Sequence, residues 1–175
     1  MVRKALSLFL ILMALVACAE KEAPVAAGKA VSDFKTERLT IPDADTGKVR
    51  GQVLYVPIYS NIPCRNDRLF DLSAFIAIHN TDVKRAIRIT HVLYFDNDGR
   101  LVMDFLPREA SLPPLGATNY FIPKTDKSGT GANFLVEWRA DAPVSEPLVE
   151  SVMLNCEIHK GIAFSSKAKV IREIR

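Results

Sequence analysis

The stretch Leu72–Phe105 constrains the fold of this chain more than any other. It reads LSAFIAIHN, TDVKRA and IRITHVLYF, then the turn Asp96-Asn97-Asp98-Gly99, then RLVMDF. Two apolar runs rich in β-branched and aromatic residues, a tight-turn signal and a third run predict three antiparallel strands. Side chains of a strand alternate between its faces. Leu72, Ala74, Ile76 and Ile78 therefore share one face of the first strand, which Asn80-Thr81-Asp82 ends with residues that bond their own backbone in turns. In the second, Ile87, Ile89, His91, Leu93 and Phe95 oppose Arg88, Thr90, Val92 and Tyr94; in the third, Leu101, Met103 and Phe105 share a face.

Similar punctuation runs through the remainder. Leu39-Thr40-Ile41 reads as a short edge strand, closed by Pro42 and the loop Asp43–Gly47. Val49–Ser60 reads as a strand apolar on both faces. Its Pro57 has no N–H to give a ladder, which places it at an edge or a bulge. Asn61–Arg68 is a polar loop, and Pro113-Pro114-Leu115-Gly116 a turn before the strand Ala117–Ile122. After the loop Pro123–Gly131, Phe134, Val136 and Trp138 alternate with Leu135, Glu137 and Arg139. Val149–Asn155 is a strand, and Gly161–Ser165 and Ala168–Ile174 pair at the end. Roughly seven to nine strands, with turns about every 8–12 residues, predict an all-β chain: an antiparallel β-sandwich of immunoglobulin-like type. A small β-barrel is the alternative.

Residues 1–18, MVRKALSLFLILMALVAC, precede all of this. A basic start, an apolar run and small residues before a break have the form of a secretory signal. The run is shorter than the roughly 20 residues of a membrane span. Leu15-Val16-Ala17-Cys18 resembles a bacterial lipobox. That resemblance implies cleavage before Cys18 and a diacylglyceryl group on its sulfur, an attachment that exploits the alkylation of a thiolate. An ordinary leader with an incidental cysteine is the alternative. Ala19 rather than Asp after the cysteine favours, by resemblance to enterobacterial sorting, the outer membrane over the inner. The expected plan is a signal peptide at 1–17, a lipidated Cys18 with a flexible tether over 18–36, and one sandwich domain over 37–175 on the periplasmic face of the envelope. A short helix is the alternative for the tether, but such short segments are marginal in water.

Charge matters here for what it excludes. The formal net charge is +3, of which Arg3 and Lys4 lie in the leader, so the processed chain carries 3 − 2 = +1. Near-neutrality without a Lys/Arg cluster leaves nucleic-acid binding unsupported. At 49% hydrophobic and 25% charged residues the chain is too apolar for disorder.

The strings YVPIYS, HNTD, YFDNDGRLV, LPPLGAT, GTGANFLVEWRA and GIAFSS occur in order between Val53 and Ile171. In kind and spacing they resemble an uncharacterised bacterial domain-of-unknown-function family of small envelope proteins. The resemblance implies no activity. Cys64 and Cys156 depart from its pattern.

Those two cysteines remain once Cys18 is lipidated, and an even pair in an exported domain is expected to form a disulfide. It would close 156 − 64 + 1 = 93 residues, for about 4–5 kcal/mol at most. Two separate thiols, or a metal pair of Cys156 with His159, are the alternatives; a closed zinc site needs four ligands. Asp96-Asn97-Asp98-Gly99 suggests calcium, yet Asp104 and Glu109 are misplaced for a calcium loop, and a turn explains the same residues. Ser128–Asn133 carries glycines without a following Gly-Lys-Ser/Thr, so they are expected to supply positive φ in a hairpin loop rather than cradle phosphate. Gly129, Gly131 and Asn133 form the candidate binding loop. Trp138 is expected in the core, with an exposed platform beside Arg139 as the alternative. His79, His91 and His159 fall on or beside separate strands, and neither a nucleophile elbow nor a catalytic set is recognisable. We therefore expect no catalytic residues, metal or cofactor. The expected function is a lipid-anchored binding or assembly module with a protein partner in the envelope. A periplasmic ligand-binding or sensing domain is the second reading, and a hydrolase with an unrecognised site the third.

Overall fold

The computed structural model describes residues 48–66, 68–156 and 161–174. The expected leader, Cys18, the tether, the Leu39–Ile41 strand, the Asp43–Gly47 loop and His159 lie outside the described residues. The described residues contain β1 (Lys48–Pro57), β2 (Asn61–Arg65), β3 (Arg68–Asp71), β4 (Ser73–His79), β5 (Ile87–Phe95) and β6 (Leu101–Asp104). They continue with β7 (Ala110–Leu112), β8 (Ala117–Ile122), β9 (Asn133–Ser145), β10 (Leu148–Asn155), β11 (Ile162–Lys167) and β12 (Lys169–Glu173). No helix occurs among them.

The fold is an antiparallel β-sandwich. One sheet has the order β12-β1-β9-β5-β6, with β7 also on β5; the other has the order β11-β10-β4-β8; β2 and β3 form a separate hairpin. Among the described residues both large sheets keep open edges, and neither closes into a barrel. Most connections between the main strands, among them β4–β5, β8–β9, β9–β10 and β11–β12, step from one sheet to the other. This interleaving places residues distant in sequence on the two faces of a single core.

Alternation reads correctly where strands are regular. Leu72, Ala74, Ile76 and Ile78 are fully buried, as are Phe134, Val136 and Trp138 opposite them in the core. Burying each large side chain contributes about 2 kcal/mol. Trp138 also directs its Nε1–H to Gln52 Oε1 at 3.3 Å, and Gln52 Nε2–H reaches Glu146 Oε1 at 2.8 Å. Core packing is its position, and the exposed platform is excluded.

β5 departs from the expected alternation. Its ladder with β9 shifts register between Ile89, opposite Trp138, and His91, opposite Glu137. The extra residue, Thr90, hydrogen-bonds the Glu137 carbonyl through its hydroxyl. A bulge reverses which side chains face inward. Ile87 and Ile89 are buried before it and Val92 and Tyr94 after it, while His91 is exposed.

Further differences follow from which strands pair. Asn61–Arg68 is expected as a loop but forms the β2–β3 hairpin. β11 and β12 join different sheets, on β10 and β1, rather than each other. β6 is an outer strand exposed along its whole length, so Leu101 and Met103 face no core. Pro57 ends β1 at a position paired only with Asn133 of β9, beyond the last β12 pair at Tyr55, so its missing N–H breaks no ladder.

Candidate functional site

Strand directions sort the loops between two ends of the sandwich. At one end β4 runs into Asn80-Thr81-Asp82, β8 begins after Gly116, and β9 finishes at Ser145. The buried amide of Asn80 donates to the carbonyls of Arg85 at 2.8 Å, Pro113 at 2.9 Å and Leu112 at 3.2 Å, and its Oδ1 accepts the Asp82 N–H. Asp82 accepts the N–H groups of Lys84 and Arg85 on one oxygen and of Ser145 on the other. Burial alone would raise its pKa, but these backbone donors and the Arg85 charge outweigh it and hold the carboxyl below its usual value. The Asp82 carbonyl accepts the N–H of Leu115, whose φ of 59° lies in the left-handed region. Polar groups here are spent on backbone, and the end is tied shut.

The opposite end is open. Three segments meet there: the β2–β3 hairpin, the β5–β6 turn and the β8–β9 loop. They enclose a groove of about 770 Å³ lined by Asn61 and Leu69, by Asp96, Asn97, Asp98 and Val102, and by Asp126 to Thr130. The Asp96 carboxylate accepts the N–H groups of Asp98 at 2.9 Å and Arg100 at 2.8 Å, and Gly99 has φ 75°. The turn reading of Asp-Asn-Asp-Gly therefore accounts for the motif. Asn97 is left to face the neighbouring loop: its N–H donates to the Ser128 carbonyl and its Oδ1 accepts the Gly131 N–H at 2.9 Å.

Beneath this contact lies a hydroxyl–carboxylate cluster. Asp126 Oδ2 accepts hydrogen bonds from Ser60 Oγ, Tyr94 Oη at 2.8 Å and the Ser128 N–H at 3.1 Å; Oδ1 accepts Ser128 Oγ at 2.9 Å. Burial pushes the Asp126 carboxyl up, but the bonds from Ser60, Tyr94 and Ser128 together hold it below its ordinary range. Burial also pushes the Tyr94 phenol up to about 12; bonding to Ser128 and Ser60 partly offsets this, and the Asp126 charge adds to it. Tyr94 packs on Phe134 with ring centroids 4.8 Å apart. Ser60 and Tyr94 are both buried. A sequestered serine and an un-ionised phenol around a saturated carboxylate make a latch for the loop, with no imidazole among their hydrogen-bond partners in the described residues.

Of the sequence-derived candidate loop, Gly129 lines the groove and Gly131 touches its Asn97 wall. Asn133 belongs to β9 and is paired with Pro57 and Phe95. The two glycines act differently. Gly129 has φ 99°, as expected, whereas at Gly131 a Cβ would collide with Asn97 Oδ1. The loop joins strands of different sheets rather than a hairpin. Asp126, Ser60 and Tyr94 escaped detection because 34 residues separate Ser60 from Tyr94 and 32 separate Tyr94 from Asp126. The strand–turn pattern of YFDNDG held the only signal, a tyrosine one residue before the chain leaves β5.

The expected Cys64–Cys156 disulfide is not formed; both thiols are free and exposed. Asn155 Nδ2 reaches the Asp71 carbonyl at 2.9 Å, which puts Cys156 beside the root of the β2–β3 hairpin. Cys64 sits three residues out from Asn61, the residue opposite Asp71, or about 10 Å along a strand. A disulfide needs Cα atoms within about 7 Å. His79 on β4 and His91 on β5 are exposed on different sheets. Among the described residues no group of three or more His, Cys, Asp or Glu is placed to hold a metal, and no helix is long and apolar enough to cross a membrane.

Comparison with known proteins gives one family. The model of a family described as a protein of unknown function (DUF3124) matches residues 51–171, from within β1 to β12. No curated protein matches. A crystal structure of a Thermotoga maritima protein is similar at 12% identity and a TM-score of 0.41, over 69% of this chain and 93% of that one.

Proposed function

Since the chain belongs to that family of unknown function over residues 51–171, we propose that it is a non-enzymatic assembly module of the cell envelope that captures a protein partner by strand addition at β6. One observation carries this reading. β6 is an outer strand that exposes Leu101, Val102 and Met103 in succession, at 56%, 47% and 49%. An unpaired edge is a template for another strand, and apolar side chains on it are a liability unless something covers them. The groove lies against the same strand through Val102, so an incoming segment would meet both ladder groups and a recess. The saturated Asp126 cluster supports a scaffolding role for the loop rather than chemistry. As part of this proposal the module is held by a lipid on Cys18, on the periplasmic face and at the outer membrane in preference to the inner.

Placing a benzoylphenylalanine photo-crosslinker at Met103 of the full-length protein in its membrane tests the docking. A discrete protein adduct from Met103, absent when the crosslinker replaces exposed Phe121 on β8, is the expected result. Adducts from Phe121 alone, or from neither position, overturn it. Labelled palmitate incorporated by the protein and lost in Cys18→Ser checks the anchor; an unmodified mature N-terminus overturns it.

The groove volume favours a second reading, binding of a small envelope solute. Against it, the groove is open and the Asn97 and Gly131 amides are already committed to each other's loops. A stoichiometric small molecule seen by native mass spectrometry, and lost in Lys127→Ala, would put this reading first.

A further inference from the structure

The smaller sheet has an apolar outer face. Its strands β11, β10, β4 and β8 pair residue for residue along their shared length, so residues directly opposite one another lie on the same face. Alternation buries Ala74, Ile76 and Ile78 of β4 in the core and leaves Ser73, Phe75, Ala77 and His79 on the outside. From the open end, the first outer row is Ala163, Leu154 and Ser73. The second is Ser165, Val152, Phe75 and Phe121, and the third is Lys167, Glu150, Ala77 and Asn119. Leu148, His79 and Ala117 complete the face at the closed end. Phe121 is 55% exposed and Leu148 41%. The fixed charges on these rows, Lys167 and Glu150, are opposite in sign and stand directly across from each other. The outer face of the larger sheet is different in kind, with Arg88 paired to Asp141 and Arg139 to Glu137.

We infer that the apolar face is the interface of a two-fold dimer, in which the smaller sheets of two copies pack face to face with their strands nearly aligned. The surface belongs to the other sheet from β6, so the inference goes beyond the strand-addition reading. Four strands of about seven residues cover roughly 19 Å by 24 Å, or about 450 Å² in plan on each copy. The pair thus hides about 900 Å² before side-chain relief is counted, near the ~1,000 Å² at which specific interfaces begin. Packing sheet on sheet is the ordinary way to cover such a face.

Two observations favour a second copy and fix its axis. With the two-fold parallel to the strands, β11 of one copy lies over β8 of the other, and β10 over β4. Ser165 then faces Phe121, Val152 faces Phe75 and Ser73 faces Leu154, a smaller residue against a larger one each time. Every such contact occurs twice, as an isologous interface requires. Glu150 faces Ala77 and keeps Lys167 of its own chain beside it, while Lys167 faces the amide of Asn119. The second observation is where the chain enters. Lys48 opens β1 opposite Ser145, at the closed end. This axis brings both closed ends to one side, so both N-terminal segments leave toward one membrane and both grooves point away from it. An axis across the strands would set the closed ends at opposite poles, and would place Glu150 on Val152 and Phe121 on Asn119. The choice of axis rests on the Cys18 anchor proposed above; the face itself does not.

The test uses the full-length protein in its membrane, in a Cys64→Ser/Cys156→Ser background. Strands about 4.8 Å apart, in sheets about 10 Å apart, put the two copies of Ala77 roughly 11 Å from each other and the two copies of Ser165 roughly 17 Å. Ala77→Cys should therefore give a product of doubled mass with a short bismaleimide, and Ser165→Cys should not. Adding Phe121→Asp to Ala77→Cys should cut that product about tenfold, whereas adding Val170→Asp on β12 should leave it unchanged. No product from Ala77→Cys, a product joined to a different protein, or a product indifferent to Phe121→Asp overturns the inference. An equal product from Ser165→Cys overturns it too, as does labelling of Phe121 by a lipid-soluble carbene probe, which would mean that the bilayer covers the face. A photo-crosslinker at Phe121 joins only copies of this chain, whereas the Met103 adduct contains a different protein, so the mass of each product lets either reading fall without the other.

Discussion

The two ends of the sandwich use the same device, an aspartate in a hydrogen-bonded knot, buried at Asp82 and half-buried at Asp126, for different purposes. At the closed end Asp82 is satisfied by three backbone N–H groups and sits beside Asn80, whose amide spans three carbonyls. At the open end Asp126 is satisfied mainly by hydroxyls, those of Ser60, Tyr94 and Ser128. Backbone donors can be removed only by moving the chain, so the closed end joins loops from both sheets into a unit that must unfold to open. Hydroxyls rotate and exchange partners, so the open end holds its loop with groups that can let go locally. The difference teaches where motion is permitted. It is expected at the end that carries the groove, where hydroxyls hold the Asp126 loop.

The largest effect expected from this contrast is at Asn80. Asn80→Ala leaves three carbonyls and one N–H without their partner, and each orphaned buried group costs on the order of 1 kcal/mol. A loss of about 3 kcal/mol, near 10 °C in melting temperature, should appear in thermal denaturation. Melting unchanged within about 2 °C would show that the closed end is not a knot.

The acid limb of the stability curve distinguishes the two carboxylates. Both titrate lower in the folded protein than the ordinary value of about 3.9. The folded state then binds fewer protons, so their stabilisation is present above that value and is lost as pH falls through the lower folded values. Asp82→Asn should cost about 1–2 kcal/mol at neutral pH and flatten the global loss of stability below about pH 4. Asp126→Asn should cost about 1 kcal/mol and speed hydrogen exchange at Ser128–Gly131 first. Equal global destabilisation by both would erase the distinction between the ends.

A smaller and more local effect belongs to Gly131→Ala. The new methyl group displaces Asn97 Oδ1 and parts the turn from the loop. We expect about 1 kcal/mol of destabilisation, with faster amide exchange at Asn97 and Gly131 and none at Asn80 or Asp82. The smallest effect is that of Cys64→Ser with Cys156→Ser. Exposed thiols without a bond between them should be replaceable within about 0.5 kcal/mol. Two thiols titrated in the native protein, and identical migration with and without reductant, check the same point.

Much of the fold was legible because apolar alternation and turn chemistry are local. Leu72–Ile78 and Phe134–Trp138 needed only the period of a strand, and Asp96–Gly99 only the chemistry of a tight turn. The reversal in β5 was not legible, since nothing in IRITHVLYF marks Thr90 as the residue that β9 leaves unpaired. The candidate site was legible in part. Glycines advertised Gly129 and Gly131, whereas Ser60, Tyr94 and Asp126 converge only because β1, β5 and β8 all finish at one end.

By itself the sequence determined the class of fold, the composition of the core and the position of the turns, because these depend on residues close together in the chain. Tertiary structure alone decided which strands became edges, which carboxylate closed an end and which held a loop, and that Cys64 and Cys156 stand apart. Those outcomes depend on strand order, and strand order is set by how two whole sheets bury a shared core rather than by any one segment of the chain.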